Sequence, residues 1–205
     1  MLIKESLTGL VLCGGQSSRM GTDKGLIITG GLTWGEIALY KLSSLGISTF
    51  TAINNSQRKD YAKVFSSHNL IIDNSDINVQ GPLKGLFSFH NLFPDKDVMV
   101  LACDMVGMRT TILHTLQQLY SKEKQNYEVF IYKQEDYVES LVAIYSAPFL
   151  AKVYRLYKTG ELERYSLQYL VSKGKALEIP VAEYEKLCFT NCNYPSDVNG
   201  YFQLS

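Results

Sequence analysis

The sequence lacks an excess of charge of either sign, and it lacks any apolar run long enough to cross a membrane. Twenty basic residues balance twenty acidic ones in a chain of 205 residues. Such a balance does not favour nucleic acid or an anionic membrane as the main partner. The first ten residues, MLIKESLTGL, also lack the apolar core of a signal peptide. We therefore predict a cytoplasmic protein that binds neither nucleic acid nor membrane.

Cysteine is scarce, with four residues in the chain. Cys13 and Cys103 end two apolar runs that are predicted to be buried strands, where cysteine behaves as a small hydrophobic residue. Cys188 and Cys192 are separated by three residues and have no histidine nearby, which does not match the usual spacing of zinc ligands. Disulfides are disfavoured in a reducing compartment. We expect neither a zinc site nor a disulfide.

Two common phosphate-binding motifs, G-x-x-x-x-G-K-[ST] and G-x-G-x-x-G, are also missing. Residues 9–24 instead read GLVLCGGQSSRMGTDK. They begin with a short apolar run that leads to Gly14 and Gly15, and a polar stretch follows. Glycines at the end of a strand let backbone N–H groups approach a phosphate closely, because no Cβ intervenes. Arg19 and Lys24 add two cations, which the charge of a triphosphate requires. The pattern predicts a loop that binds nucleotide phosphates.

Short apolar runs alternate with stretches of helical periodicity along the chain. This alternation predicts an α/β fold, a single-domain Rossmann-like three-layer sandwich over residues 1–205 with a mostly parallel, doubly wound sheet. Two strands around a polar turn at 133–136 are expected to add an antiparallel edge. The predicted strands are 10–13, 25–29, 47–53, 70–73, 97–103, 127–132, 137–145 and 176–180, and the predicted helices are 34–45, 57–65, 82–92, 110–120 and 148–157.

Polar residues follow several of these strands, and the carboxyl ends of parallel strands are where α/β proteins bind ligands. The most apolar run, 97–103, leads directly to Asp104. A carboxylate there is well placed to hold Mg²⁺ against phosphate oxygens, although aspartate also serves as a helix N-cap. Asn54 and Asn55 follow the strand at 47–53, and Asp73 ends the next strand.

The motif L-x-G-G-x-x-x-R-M-G-x-D-K resembles the signature loop of nucleotidyltransferases with a GT-A-like fold, and within them the molybdenum cofactor guanylyltransferase (MobA) family. Two later segments support the resemblance. GPLKG at 81–85 is similar to the family's GPLAG, and FTNCNYPSD at 189–197 is similar to the family's F-x-N-x-N-T-P-E-D. Lys84 stands where the family commonly has a small residue, and it either reaches an anion or is solvated.

The resemblance implies transfer of GMP from GTP to the terminal phosphate of molybdopterin, with release of pyrophosphate. It implies catalytic roles for Arg19, Lys24 and Asp104, and Mg²⁺ held by Asp104 and Asn193. It also implies a monomer that contacts cofactor-delivering proteins transiently. The implied substrate-binding residues are Leu12, Cys13, Gly14, Gly15, Lys24, Asn54, Asn55, Asp73, Asp104, Asn191 and Asn193.

Two other functions remain open at this stage. One is a nucleotidyltransferase of another specificity, such as a cytidylyltransferase acting on molybdopterin or an enzyme acting on a sugar phosphate. Gly14 and the pair of Asp23 and Lys24 argue against it. The other is a non-catalytic nucleotide-binding relative. The presence of Arg19, Lys24 and Asp104 together argues against that.

Overall fold

The computed structural model describes residues 7–14 and 23–198 of the chain. Its strands are β1 (Leu7–Leu12), β2 (Ile28–Thr29), β3 (Leu32–Thr33), β4 (Thr49–Ile53), β5 (Leu70–Ile72), β6 (Asp97–Ala102), β7 (Val129–Gln134), β8 (Tyr137–Tyr145) and β9 (Ala176–Pro180). Its α-helices are α1 (Trp34–Ser43), α2 (Arg58–Tyr61), α3 (Pro82–Leu92), α4 (Thr110–Glu123), α5 (Ala147–Lys158) and α6 (Leu167–Val171). Among these elements, no helix is long and apolar enough to span a bilayer.

Seven of the strands form one sheet in the order β5-β4-β1-β6-β8-β7-β9. β1 lies inside this sheet and pairs in parallel with β4 and with β6. β8 runs antiparallel to both of its neighbours, β6 and β7, whereas the outermost strand, β9, is parallel to β7. The antiparallel pairs therefore lie in one half of the sheet and not at its rim. The predicted α/β class with a mostly parallel sheet is confirmed.

Two hydrophobic cores lie on opposite faces of the sheet, because side chains of a strand alternate between its faces. Val11 of β1 belongs to the core under α1 and α4, and Leu10 and Leu12 belong to the core under α3, α5 and α6. All six residues of β1 are buried, as expected for a strand that is covered by helices on both sides. The result is the predicted order of helix, sheet and helix.

The parallel strands bring the polar residues that follow them to one edge. Leu12 is opposite both Ala52 and Ala102 in the ladders, so the segments after β1, β4 and β6 leave the sheet side by side. The segment after β5 joins them, because Asp73 donates its backbone N–H to the carbonyl of Ile53 at 2.8 Å. This carboxyl edge is where the sequence predicts ligand binding.

Two predicted elements differ from the structure. The strand predicted at 25–29 is wrong in its first half, since Lys24–Leu26 form a 3-10 turn and only β2 is extended. β2 pairs with β3 outside the main sheet, across a turn in which Gly30 and Gly31 have φ of 62° and 85°. The helix predicted at 57–65 is shorter: Asn55–Gln57 form a capped 3-10 turn, α2 is a single turn, and residues 62–65 follow it as hydrogen-bonded turns.

Candidate functional site

Lys24 joins two distant segments of the chain at the carboxyl edge. Its ammonium donates hydrogen bonds to Asp104 Oδ2 and to Asn193 Oδ1, each at 2.9 Å. Asp104 follows β6, as predicted, and Asn193 lies in the last described segment. The Lys24 and Asp104 side chains are partly buried, and an ion pair of this kind adds little to stability after its desolvation cost. Its position at the ligand-binding edge therefore favours a functional role.

Asp23 fixes the turn that carries Lys24. It is the N-cap of the 3-10 turn Lys24–Leu26, and its Oδ1 accepts from the Gly25 N–H at 3.0 Å, since an N-cap side chain satisfies a free backbone donor. The Tyr61 hydroxyl donates to the same oxygen at 2.8 Å, and the Gln57 amide donates to Oδ2. Both oxygens of Asp23 are thus engaged, which holds the backbone at Lys24 in place.

Asn193 is held by a turn that Asp197 closes. Asp197 Oδ2 accepts from the backbone N–H groups of Asn193 at 2.7 Å and Tyr194 at 2.9 Å, and these donors lower the pKa of Asp197. The Cys192 N–H donates to the Asp104 carbonyl at 2.8 Å, which docks this segment against the end of β6. Asn191 is exposed, and among the described contacts only Asn193 of the two asparagines reaches Lys24.

A narrow, closely packed cleft lies at the ends of β1, β4 and β5. Gly81 adopts a φ of 69° just before α3, a conformation that favours glycine. A Cβ on Gly85 would lie 3.0 Å from Leu12 Cδ2 and 3.2 Å from Ala52 Cβ, so glycine here lets α3 approach the sheet closely. The cleft is lined by Leu12, Gly14, Ala52, Asp73, Gly81, Pro82 and Gly85.

Asp73 supplies the acidic group of this cleft. Its Oδ1 is buried and has no hydrogen-bond partner, and a Cβ on Gly14 would lie 3.4 Å from its Oδ2. Burial raises the pKa of Asp73 to about 6, and the charge of Lys84 opposes that shift. A buried, unpaired carboxylate oxygen in a cleft is an acceptor suited to a hydroxyl or N–H donor of a ligand. Lys84 is half-buried on the first turn of α3, and its charge acts on Asp73.

Asn54 has a structural task that limits what it can offer a ligand. Its Oδ1 accepts from the Gln57 N–H at 3.1 Å and from the Ser56 hydroxyl at 2.6 Å. Because this oxygen is already engaged, the side chain of Asn54 can offer a nucleotide base its amide N–H donors. Asn55 is exposed at the start of the same turn. Contact of either residue with a nucleotide stays a prediction.

The remaining predicted residues fall at the strand end or outside the described chain. Leu12 lines the cleft, whereas the Cys13 thiol is buried and the Cys13 carbonyl accepts from the Gln57 amide at 3.0 Å. Gly15 and Arg19 lie outside the described residues. Sequence reasoning missed Gln57, although N-x-x-Q from Asn54 to Gln57 is a capping-box pattern that marks this turn.

The chemistry of the donor set fits Mg²⁺. Asp104 Oδ2 and Asn193 Oδ1 converge on one cationic nitrogen, and carboxylate and amide oxygens are ligands that Mg²⁺ accepts. Within residues 7–14 and 23–198, no group of three or more His, Cys, Asp and Glu side chains could hold a metal ion. Mg²⁺ commonly needs only one or two carboxylates, since waters and substrate phosphates complete its shell.

The sheet edge thus places a lysine, a strand-end carboxylate and a glycine-lined cleft together, and the class of protein that this fold and site define is a nucleotidyltransferase enzyme. The family model for the MobA-like NTP transferase domain matches residues 9–173. The chain belongs to that family.

Curated relatives and a solved structure agree with the assignment. The chain is 26% identical over 195 residues to a probable molybdenum cofactor guanylyltransferase of Flavobacterium johnsoniae, covering 95% of this chain and 96% of the relative. It is 32% identical over 142 residues to a molybdenum cofactor guanylyltransferase of Campylobacter jejuni subsp. doylei, covering 68% of each. The crystal structure of molybdopterin-guanine dinucleotide biosynthesis protein A from Archaeoglobus fulgidus matches with a TM-score of 0.72 and 22% identity, over 96% of this chain and 97% of that one, and shares the fold.

Asp73→Asn is expected to weaken nucleotide binding and to stabilise the ligand-free protein at pH 7. The folded pKa of about 6 lies above the ~3.9 of an unfolded aspartate, so the cost of ionising Asp73 in the folded protein builds up between about pH 4 and pH 6 and is complete at pH 7. A shift of this size corresponds to at most ~3 kcal/mol, and partial solvent access reduces it to ~1 kcal/mol. Denaturant unfolding at pH 7 and pH 4 measures the gain in unfolding free energy of Asp73→Asn over wild type. This gain should vanish at pH 4.

The same substitution tests the pH dependence of binding. Wild-type affinity for GTP should fall as the pH drops below about 6, because Asp73 becomes protonated and loses acceptor capacity. In Asp73→Asn, the fall in affinity below about pH 6 should disappear. An identical profile in both proteins would contradict a contact between Asp73 and the nucleotide.

Proposed function

We propose that the protein transfers GMP from GTP to the terminal phosphate of molybdopterin, releases pyrophosphate and forms a guanine dinucleotide cofactor. The observation that supports nucleotidyl transfer is the Lys24 ammonium held between Asp104 and Asn193 at the edge of the sheet. The names of the relatives from Flavobacterium and Campylobacter support guanine and the molybdenum cofactor. We further propose that the protein acts in the cytoplasm as a monomer that contacts cofactor-delivering proteins transiently.

In the proposed reaction, an ionised phosphate oxygen of the acceptor attacks the α-phosphorus of GTP, and the bond from that phosphorus to the pyrophosphate oxygen breaks. The acceptor is already an anion, so no side chain has to remove a proton. Such a transfer depends on positioning and on neutralising charge. Lys24 and Arg19 would neutralise the departing pyrophosphate, while Asp73 and the amides near Gly14 would hold the nucleoside.

Asp104 and Asn193 are the residues that would hold Mg²⁺, which when bound supplies positive charge to the phosphate oxygens. Asp197 fixes the backbone of Asn193, and Cys192 ties that segment to the Asp104 carbonyl. These contacts fix the backbone that carries Asp104 and Asn193, and the Lys24 ammonium holds their side-chain oxygens close together. Pre-organisation of this kind lowers the cost of binding charge in the transition state.

Nucleotide choice is tested by pyrophosphate release with GTP, CTP, ATP and UTP, each with and without molybdopterin. Release is expected with GTP plus molybdopterin. A wrong base would leave buried polar groups unpaired, at about 1–3 kcal/mol each, which corresponds to roughly tenfold to hundredfold discrimination per group. GTP with Mg²⁺ should also raise the Tm more than ATP or CTP at equal concentration.

The panel also separates the alternatives. If CTP stabilises the protein and releases pyrophosphate better than GTP, guanine specificity fails and nucleotidyl transfer survives. If no nucleotide yields pyrophosphate with any acceptor, the proposed catalysis fails and a binding role remains.

A further inference from the structure

The side-chain amide of Gln57 connects three segments of the nucleotide site. Its Nε2 donates to the Cys13 carbonyl at the end of β1, at 3.0 Å, and to Asp23 Oδ2 in the turn before Lys24. Its Oε1 accepts from the Asn54 N–H at the end of β4, at 2.8 Å. One neutral side chain thus uses both of its N–H donors and its acceptor on groups that are separated in sequence.

We propose that Gln57 is a positioning residue that holds the end of β1, the turn of Lys24 and the turn of Asn54 in the arrangement that binds the nucleotide. The inference rests on the proposed function, because Lys24 and Asn54 matter through their contacts with GTP. Gln57 itself contacts none of the reacting atoms in this scheme. It acts through the residues that it holds.

The chemistry of this position calls for an amide. The Cys13 carbonyl and the Asp23 carboxylate need donors, whereas the Asn54 N–H needs an acceptor, and glutamine supplies both. A hydrophobic residue would leave a partly buried carboxylate oxygen and a carbonyl unpaired. Asp23 would then reorient toward water, and the turn that it caps would carry Lys24 with it.

Gln57→Leu tests the proposal against a matched control, Gln117→Leu. The Gln117 amide donates to the Leu45 carbonyl at 3.2 Å, and it joins α4 to the end of α1 at the opposite edge of the sheet. Both glutamines are half-buried. We expect Gln57→Leu to lower kcat/KM for GTP about a hundredfold, because small displacements of positioned groups have effects of that size. Gln117→Leu should stay within about twofold and should lose less Tm, because it removes one hydrogen bond where Gln57→Leu removes three.

Gln57→Glu tests the pH dependence of kcat/KM, which a purely structural role of Gln57 would leave unchanged. At pH 8 the introduced carboxylate would repel Asp23, whereas at lower pH its protonated form can donate to Asp23 Oδ2 as the amide does. The ratio of the variant's kcat/KM to that of wild type should rise about tenfold from pH 8 to pH 6, since the contribution of Asp73 cancels in the ratio.

Among the residues that the structure describes, the titratable groups around this position include Asp23, Tyr61, Cys13 and Cys103. Burial raises the pKa of Tyr61, while a hydrogen bond to Cys13 together with burial raises the pKa of Cys103, so both stay protonated over this range.

Equal losses of kcat/KM in Gln57→Leu and Gln117→Leu would overturn the proposal, and so would a ratio for Gln57→Glu that does not change with pH. The proposed function is tested separately by the wild-type protein. If wild type releases no pyrophosphate, calorimetric binding of GTP still decides the role of Gln57. Binding by Gln57→Leu as tight as by wild type would then refute it, and binding at least tenfold weaker than in Gln117→Leu would support it.

Discussion

Asp104→Asn is expected to lower turnover more than a hundredfold while leaving the fold intact. The carboxylate stands at the end of buried β6 and binds the Lys24 ammonium, and asparagine keeps its shape and one oxygen acceptor. The negative charge that would hold Mg²⁺ is lost, which should cost several kcal/mol in the transition state. Single-turnover kinetics at several Mg²⁺ concentrations and thermal unfolding measure the two effects.

Asp97→Asn is the matched control, because Asp97 lies at the opposite end of the same strand. Its carboxylate accepts from the Ala147 N–H at 2.7 Å and from the Tyr120 hydroxyl, so it stabilises the start of α5. This variant should lose about 1–2 kcal/mol of unfolding free energy and keep its turnover. Near-normal turnover and Mg²⁺ dependence in Asp104→Asn would refute the metal role.

Strand-end reasoning predicted the positions of part of the candidate site from sequence alone. In a parallel sheet, the residue after a buried strand must emerge at the carboxyl edge, so Asp104 and Asp73 could be placed without knowing any contact. Gly14 followed from the pair of glycines that ends β1, whereas the family resemblance implied Leu12. These predictions depend on local apolar runs, which the sequence displays directly.

The contacts that orient these residues could not be predicted in this way. Lys24 meets Asp104 and Asn193 across 80 and 169 residues of chain, and no local pattern fixes such pairs. The capping box from Asn54 to Gln57 is visible in the sequence, but its reach to Cys13 and Asp23 depends on β4 lying beside β1.

The same limit applies at the start of α2. The helix predicted at 57–65 loses its first residue because Gln57 closes the capped 3-10 turn and holds Cys13 and Asp23, while residues 62–65 follow Arg58–Tyr61 as hydrogen-bonded turns. Tyr61 then turns its ring into the core and its hydroxyl toward Asp23. The contacts of Gln57 thus override local helical propensity at the first residue of the predicted helix.

Lys24→Ala is expected to weaken GTP binding and slow transfer, while GMP binding changes little. An ammonium that addresses the β- and γ-phosphates makes charge-assisted contacts of about 1.5–3 kcal/mol, which corresponds to roughly tenfold to hundredfold in affinity. Lys24→Arg should rescue the loss only in part, because a planar fork does not replace a compact ammonium between Asp104 and Asn193.

Calorimetric titration of Lys24→Ala with GTP and GMP measures the selectivity, and Lys63→Ala is its control. Lys63 follows α2 and forms an exposed ion pair with Asp60 at 2.7 Å, so its removal deletes an ion pair of similar length that is accessible to solvent. An exposed pair contributes about 0–1 kcal/mol, so this variant should match wild type with both nucleotides. Equal losses for GTP and GMP in Lys24→Ala would mean that Lys24 does not address the outer phosphates. A loss confined to GTP assigns it to the leaving pyrophosphate, because only the triphosphate carries those groups.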